Sequence, residues 1–397
     1  MDLTWTKGVL QYLSPEMRLL LSLKCPQLLP IDRSTPLRIH TFHIDPLQLQ
    51  FNKTTFKLGI IRHFHHATER NLDSEGVQHD VDLFGLEKQS PEFDLTSGEY
   101  LIVNVAPKNT EMKSRIDSLN VAQMSKRIRE IQGVPGKEAE LMDLKNKILP
   151  FELKEEGEYS LIPYTHYLKL TVTTGNSKYT ERVDYCKSIQ DGMKYLTWKL
   201  LEGRGLSVGT LKMHAEGFYR IPESLSIHTN HLDVHLKHTD SLNSIFPLLA
   251  DSSFPLHSVT VYQEAELHNP IVQSSQMIVV APRAETLQLD RLNHHRVHIR
   301  WRSIQEDKVT RLVKKWVELK KGAGTMYTFV VHDDVDIASV MEEIAAMRGA
   351  KTDSGEEDNY LPRQVTLPIS TSSKLCVYWA EEAEGEQWTL FLHIQDV

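Results

Sequence analysis

Histidines beside carboxylates are the first residues in this chain whose types invite chemistry. His63, His65 and His66 stand in RHFHHATE, with His79-Asp80 close by. Imidazole and carboxylate together bind zinc. The HxHH spacing offers no helical i, i+4 pair, however, and no closed set of four ligands is visible. His228, His231, His235 and His238, and later His294, His295 and His298, fall among expected strands. Alternate strand residues point to opposite faces, so nothing in this spacing selects a metal. The three cysteines, Cys25, Cys186 and Cys376, form neither a CxxC pair nor a disulfide framework. No GxSxG is present, and no cysteine has a histidine partner in a motif. Gly203-Arg204-Gly205 and Gly322-Ala323-Gly324 lack a phosphate-loop context; both follow amphipathic segments and read as helix C-caps. Glu155-Glu156, Asp333-Asp334 and Glu356-Glu357 read as solvated loop charge. No catalytic residue, cofactor or metal ligand emerges, and the expectation is a protein that is not an enzyme.

Bulk composition narrows the partners. Lys plus Arg total 45 and Asp plus Glu 53, a net charge of −8. Such a chain does not hold nucleic acid by bulk positive charge. No window of about 18 apolar residues exists, so no membrane span is expected. The run Met17 to Leu23 is broken by Arg18 and Ser22 and is not a secretory segment. Sparse cysteines fit a reducing compartment, so the expected location is cytoplasmic or nuclear. With 397 residues the chain has room for two or three domains.

The elements that would position any site follow from periodicity. Leu3, Val9, Leu10, Leu13, Met17, Leu20, Leu21, Leu23 and Leu28 recur at helical steps, with a break at Ser14-Pro15. Ser14 is a good N-cap and Pro15 suits the first helical position, so a second helix starts there and ends before Pro26. This helical segment, taken as residues 1–36, is too small to close a core of its own. From Leu37 the period becomes two. Leu47, Leu49 and Phe51 face Phe56, Leu58 and Ile60 across Asn52-Lys53, a small hairpin. A long polar loop spans 63–98, a buried strand 99–106, and helices 110–131 and 137–148 form a linker closing a small α+β domain over 37–150. A third domain, 151–397, opens with a hairpin around Thr174-Gly175-Asn176 and a helix over 187–202, then a strand at 206–213. Strands are expected at 224–228, 232–236, 257–262, 277–281, 285–289, 296–301, 325–331, 364–369, 374–379 and 387–394. Helices at 240–250, 306–321 and 335–347 alternate with them. The class is α+β, and the C-terminal part reads as an irregular leucine-rich-repeat-like βα stack.

Leu3, Val9-Leu10, Leu13, Arg18, Leu23, Cys25 and Leu28 resemble an F-box, although Thr4 stands where that motif has proline and Lys24-Cys25-Pro26 stands for Val-Cys-Lys. SLKCPQLLPIDRSTPLRI, FKLGIIR, HDVDLFG, LPFEL, YLKLTVTT, ERVDYCKSIQDGMKYL and SSFPLHSV continue the likeness over roughly the first 260 residues. The chain resembles a nematode family of F-box proteins that carry a family-specific associated domain of unknown function. That resemblance implies a substrate-recognition adaptor of an SCF-type (Skp–cullin–F-box) ubiquitin ligase. Its N-terminal helices would bind a Skp-type adaptor of a cullin–RING ligase, and its C-terminal domain a client protein. Amphipathic helix pairs supply hydrophobic anchors to partner grooves, and the anchors here would be Leu3, Val9, Leu10, Leu13, Leu20 and Leu23. The alternative is a stand-alone interaction module whose helices pack only on their own domain.

One basic stretch remains, residues 300–321. Val309, Leu312, Val313, Trp316 and Val317 form an apolar stripe, and Arg311, Lys314 and Lys315 lie on the opposite face. The reading is either a solvated helix face or a patch for an acidic client.

Overall fold

A computed structural model of the chain describes residues 3–65, 76–88, 99–104, 110–157, 162–236, 241–281, 287–301, 304–331, 334–353, 362–381 and 388–397. In chain order the elements are α1 (Leu3–Tyr12), α2 (Pro15–Lys24), α3 (Leu29–Arg33), β1 (Leu37–Asp45), β2 (Gln48–Phe51), β3 (Thr54–Phe64), β4 (Glu99–Asn104), α4 (Thr110–Ile131) and α5 (Glu138–Glu156). Then come β5 (Tyr164–Thr174), β6 (Ser177–Asp184), α6 (Ile189–Leu201), β7 (Leu206–Met213), β8 (Gly217–Pro222), β9 (Ile227–Val234), α7 (Ser241–Ile245), β10 (Ser258–Val261), α8 (Pro270–Ser274) and β11 (Met277–Val280). The chain closes with β12 (Arg296–Arg300), α9 (Glu306–Glu318), β13 (Met326–Val331), α10 (Asp334–Ala345), β14 (Lys351–Asp353), β15 (Gln364–Pro368), β16 (Ser373–Glu381) and β17 (Trp388–Asp396). The protein is mixed α+β, and the chain divides into two compact units.

The first unit holds residues 1–207, 213–226 and 236–240. Its main sheet is antiparallel in the order β1-β2-β3-β5-β6, and β4 pairs with β8 separately. The expected hairpin register is present: Leu49 faces Phe56, and Asn52 takes a left-handed conformation (φ 51°) in the turn. Phe42, Phe51 and Phe56 are fully buried, with Phe42 and Phe51 stacked at 4.7 Å. Helix α6 presses Gly192 onto β5; a Cβ there would lie 2.7 Å from Leu168 Cδ2. A smaller cluster of Phe64, Phe84, Leu153 and Tyr164 fixes the described part of the 63–98 loop, where Tyr164 Oη donates to the Phe84 carbonyl at 2.7 Å. Stretches 66–75 and 89–98 of that loop lie outside the described residues.

The second unit holds residues 208–212, 227–235 and 241–397. Strands β9, β10, β11, β12 and β13 are parallel and adjacent in sequence order. Antiparallel β17, β16, β15 and β14 extend this sheet beyond β13. Val297, Ile299, Tyr327 and Phe329 are buried on one face, where Trp316 of α9 meets Tyr327 edge-on at 4.7 Å. Ion-dipole contacts join α9 to α10: Thr310 Oγ1 donates to Glu343 and Ser339 Oγ to Glu306.

Several elements depart from the sequence expectation. Helix α5 does not stop at 148 but runs through Pro150 to Glu156. Proline cannot donate to the Asn146 carbonyl one turn back, and Arg62 Nη1 donates there instead at 3.1 Å. Strand β8 was not expected, because Arg220 interrupts its apolar run. That arginine is buried and paired with Asp191 at 2.6 Å. The strands expected at 224–228 and 232–236 are one, β9; its internal Thr229 is fully buried, with Oγ1 donating to the His231 carbonyl at 3.1 Å. Residues 287–289 are not a strand, and 285–286 lie outside the described residues. Helix α9 ends earlier than expected, and its left-handed cap residue is Lys320 (φ 50°), not a glycine of the 322–324 run.

Candidate partner-binding surface

The N-terminal helices form for local reasons. Ser14 Oγ accepts from the Met17 amide at 3.3 Å, Pro15 occupies the first helical position, and Glu16 sits in the positive first turn. Pro26 follows at once and cannot continue the helix. Asn52 ties this helix start to the sheet: its Nδ2 donates to Glu16 Oε1 at 2.6 Å, while its Oδ1 accepts from the His40 and Thr41 amides at 2.9 Å each.

The buried side of α2 combines two polar residues with one leucine. Its buried residues are Arg18, Leu19 and Ser22. Arg18 Nε donates to Asp32 Oδ1 at 2.7 Å, and its other nitrogens donate to the carbonyls of Pro36, Thr35 and Asp32 at 2.8, 2.7 and 3.1 Å. Ser22 Oγ donates to Asp32 Oδ2 at 2.5 Å, and Arg204, just past α6, donates to the same oxygen. Arg204 Nε also donates to the Leu200 carbonyl at 2.6 Å. Burial pushes the Asp32 carboxyl up. The Ser22 hydrogen bond, the Arg204 charge and hydrogen bond, and the Arg18 hydrogen bond outweigh it, so the group lies below its ordinary 3.8. For Arg204 burial dominates over Asp32 and lowers its pKa from the ordinary arginine value. One carboxylate thus serves two guanidiniums in a dry site, and the cluster fixes the rotation of α2.

The consequence is a partly inverted helix, with only Leu19 of its leucines fully buried. Soluble helices ordinarily bury their apolar stripe and expose the polar one. Here the polar residues turn inward, and Leu20, Leu21 and Leu23 are left half-buried, with Met17 49 % exposed. Helix α1 lies against α3. Among the anchors expected from sequence, Leu10 is buried at 3 % exposure, Val9 is 41 % exposed, and Leu13, Leu20 and Leu23 are half-buried. The side chain of Leu3 lies outside the described residues. Tyr12, which the sequence reading passed over, is 93 % exposed. The Asp32–Arg18–Arg204–Ser22 cluster was also missed. Its signal was the Arg18/Ser22 pair at i, i+4 inside an otherwise apolar run.

The basic face of α9 is less open than its composition. Arg311 pairs with Asp307 one turn away at 3.4 Å, and Lys315 Nζ donates to the Asp290 carbonyl at 2.7 Å and its carboxylate at 3.3 Å. Lys314 is exposed. The C-terminal end of this helix is closed by the Lys321 amide donating to the Trp316 carbonyl at 3.0 Å.

Several of the described histidines and their neighbours are engaged within the fold. Asp80, weighed as a zinc ligand beside His79, accepts instead from the Ile189 amide at 2.7 Å and Tyr185 Oη at 2.6 Å, capping α6. Burial and Asp80 together push the Tyr185 hydroxyl well above its ordinary value. His65, His228, His231 and His298 each hydrogen-bond a hydroxyl on a neighbouring segment, at 2.8, 3.1, 2.8 and 2.8 Å. His66 and His238 lie outside the described residues. Among the described residues no group of three or more His, Cys, Asp and Glu is placed to hold a metal, and no helix is long and apolar enough to cross a membrane.

Residues 188–333 match a protein family described as a domain of unknown function (DUF3557). The match begins at the Ser188 cap of α6 and runs past β13. It is compatible with the family-specific domain of unknown function that the sequence resemblance implied, and it does not include the N-terminal helices. No curated protein and no solved structure matches the chain.

Proposed function

We propose that the chain is a non-catalytic adaptor, the client-recognition subunit of an SCF-type ubiquitin ligase. Helices α1 and α2 dock a Skp-type adaptor, and the part from residue 151 onward, whose strands β9 to β13 follow one another in repeat-like order, holds a client protein. The reaction is promoted by proximity: tethering raises the effective concentration of client lysines near the ligase. The nematode F-box resemblance of the sequence points the same way. The observation that carries the reading is the partial inversion of α2. A helix that buries Arg18 and Ser22 beside Leu19, with Val9, Tyr12, Met17 and three half-buried leucines on neighbouring surface, offers apolar area that a partner groove can seal.

Affinity capture with a purified Skp-type adaptor tests it. The intact chain retains the adaptor. A Val9→Glu/Tyr12→Glu/Leu13→Glu variant, changed at sites with surface exposure, loses it while keeping its circular dichroism. No capture by the intact chain, or capture unaffected by the triple change, refutes ligase engagement. The second reading is a stand-alone interaction module. Full burial of Leu10 and the Arg18–Asp32 clasp favour it, since both tie the segment to its own unit.

A further inference from the structure

In the second unit, the sheet face away from Trp316 has its own composition. Register places Arg296, His298 and Arg300 of β12 on it, the two arginines exposed. His298 stands in one row with Thr328 of β13, Phe391 of β17 and Tyr378 of β16. Phe391 and Tyr378 are stacked at 4.8 Å with planes 7° apart, both half-exposed. Lys374 lies further along β16 on the same side. On this face Asp233 of β9 and Asp353 of β14 stand at the two margins, in the row of His298; on the strands between them no described Asp or Glu shares the face, and neither Arg296 nor Arg300 has a carboxylate partner among the described residues. In a chain of net charge −8, a positive centre between acidic margins is a local field directed at anions.

We propose that this face binds an extended acidic peptide segment of a partner protein, with carboxylates on Arg296 and Arg300 and an apolar side chain on the Phe391–Tyr378 platform. Three strand spacings separate β12 from β16, about 14 Å, which an extended chain covers in about four residues. The recognised segment therefore carries acidic residues about four positions from an aromatic or aliphatic one. Arginine supplies planar, forked donors that match carboxylates, and stacked rings accept an apolar side chain at little entropic cost. The proposal deepens the adaptor reading by naming its client surface, and places that surface on the sheet and not on α9.

Fluorescence polarisation with the full chain tests it. The probe is a labelled synthetic peptide with two glutamates two positions apart, so that both face the sheet, and a phenylalanine four residues after the second. Its controls are the same peptide with lysines for glutamates and an oligouridine of equal length. The glutamate peptide binds, the lysine peptide does not, and affinity falls as salt rises. Arg296→Glu/Arg300→Glu weakens binding by about tenfold or more, as loss and reversal of two interfacial charges does. The milder Arg296→Gln/Arg300→Gln weakens it in the same direction and guards against a folding defect in the first variant. Arg311→Glu/Lys314→Glu on α9 leaves it unchanged. No binding of the glutamate peptide, equal binding by the Arg296/Arg300 variants, or tighter oligouridine binding through the same arginines overturns the proposal. Skp-type adaptor capture is run on each variant. It stays intact in the Arg296/Arg300 variants, so failure of the peptide surface and failure of the ligase reading are separate results.

Discussion

Asp32→Asn replaces a fully buried carboxylate with an isosteric amide, and its effect follows from counting what faces it. Three side-chain donors converge on Asp32: Arg18 Nε, Ser22 Oγ and Arg204 Nη1. An amide offers one acceptor oxygen and one donor nitrogen, so at least one donor meets another donor and two buried guanidiniums lose their counter-charge. Hydrogen bonds to charged groups contribute about 1.5–3 kcal/mol each, and breaking one partner out of a buried ion pair costs about 3–5 kcal/mol. We expect a loss of about 3–5 kcal/mol, a large part of the roughly 5–15 kcal/mol that holds a typical protein folded. Urea unfolding by circular dichroism reads the loss, and hydrogen exchange shows it first in α2. The pH dependence has a definite sign. The folded carboxyl lies below its ordinary 3.8, so its contribution is complete above that value and disappears as pH falls through the folded pKa. The stability curves of wild type and Asp32→Asn are therefore parallel near neutrality and converge in acid below about pH 4. A loss under about 1 kcal/mol at pH 7, or curves that stay parallel into acid, would refute the reasoning. The triple change Arg18→Met/Asp32→Leu/Arg204→Met should be far milder than Asp32→Asn alone, because it removes the buried charges together.

Two further outcomes test local parts of the fold. Lys320→Gly should raise stability by about 0.5–1 kcal/mol, because Lys320 holds a left-handed cap conformation that glycine adopts without steric penalty; thermal unfolding reads the gain, and a loss would contradict the cap assignment. Arg62→Ala should cost about 1–3 kcal/mol and speed exchange of amides flanking Pro150, since the Asn146 carbonyl, which Pro150 cannot serve, loses the Arg62 donor; unchanged exchange there would mean that Arg62 does not support the helix.

What the sequence disclosed, and what it withheld, divides by the range of the interaction. Ser14-Pro15, the Asn52-Lys53 and Gly175-Asn176 turns and the 110–131 helix are decided within a few residues, and each stands where periodicity and capping put it. Pro150 misled because proline ends a helix only if nothing else answers the carbonyl behind it, and the answer, Arg62, comes from a distant strand. Strand β8 was hidden by Arg220, whose charge is matched by Asp191 from α6. The rotation of α2 is the sharpest case. A periodic pattern locates a helix, but it assigns the inward face by assuming that leucine goes in and arginine goes out. Here Asp32 and Arg204, the latter 172 residues from Asp32 in the chain, make it favourable for Arg18 and Ser22 to join Leu19 on the inward face. Of the leucines that drew attention as anchors, Leu20 and Leu23 of α2 remain partly at the surface, while a buried charge cluster holds the other side. Helix α2 and the clasp are thus coupled: the residues that look out of place inside the protein set which residues face outward.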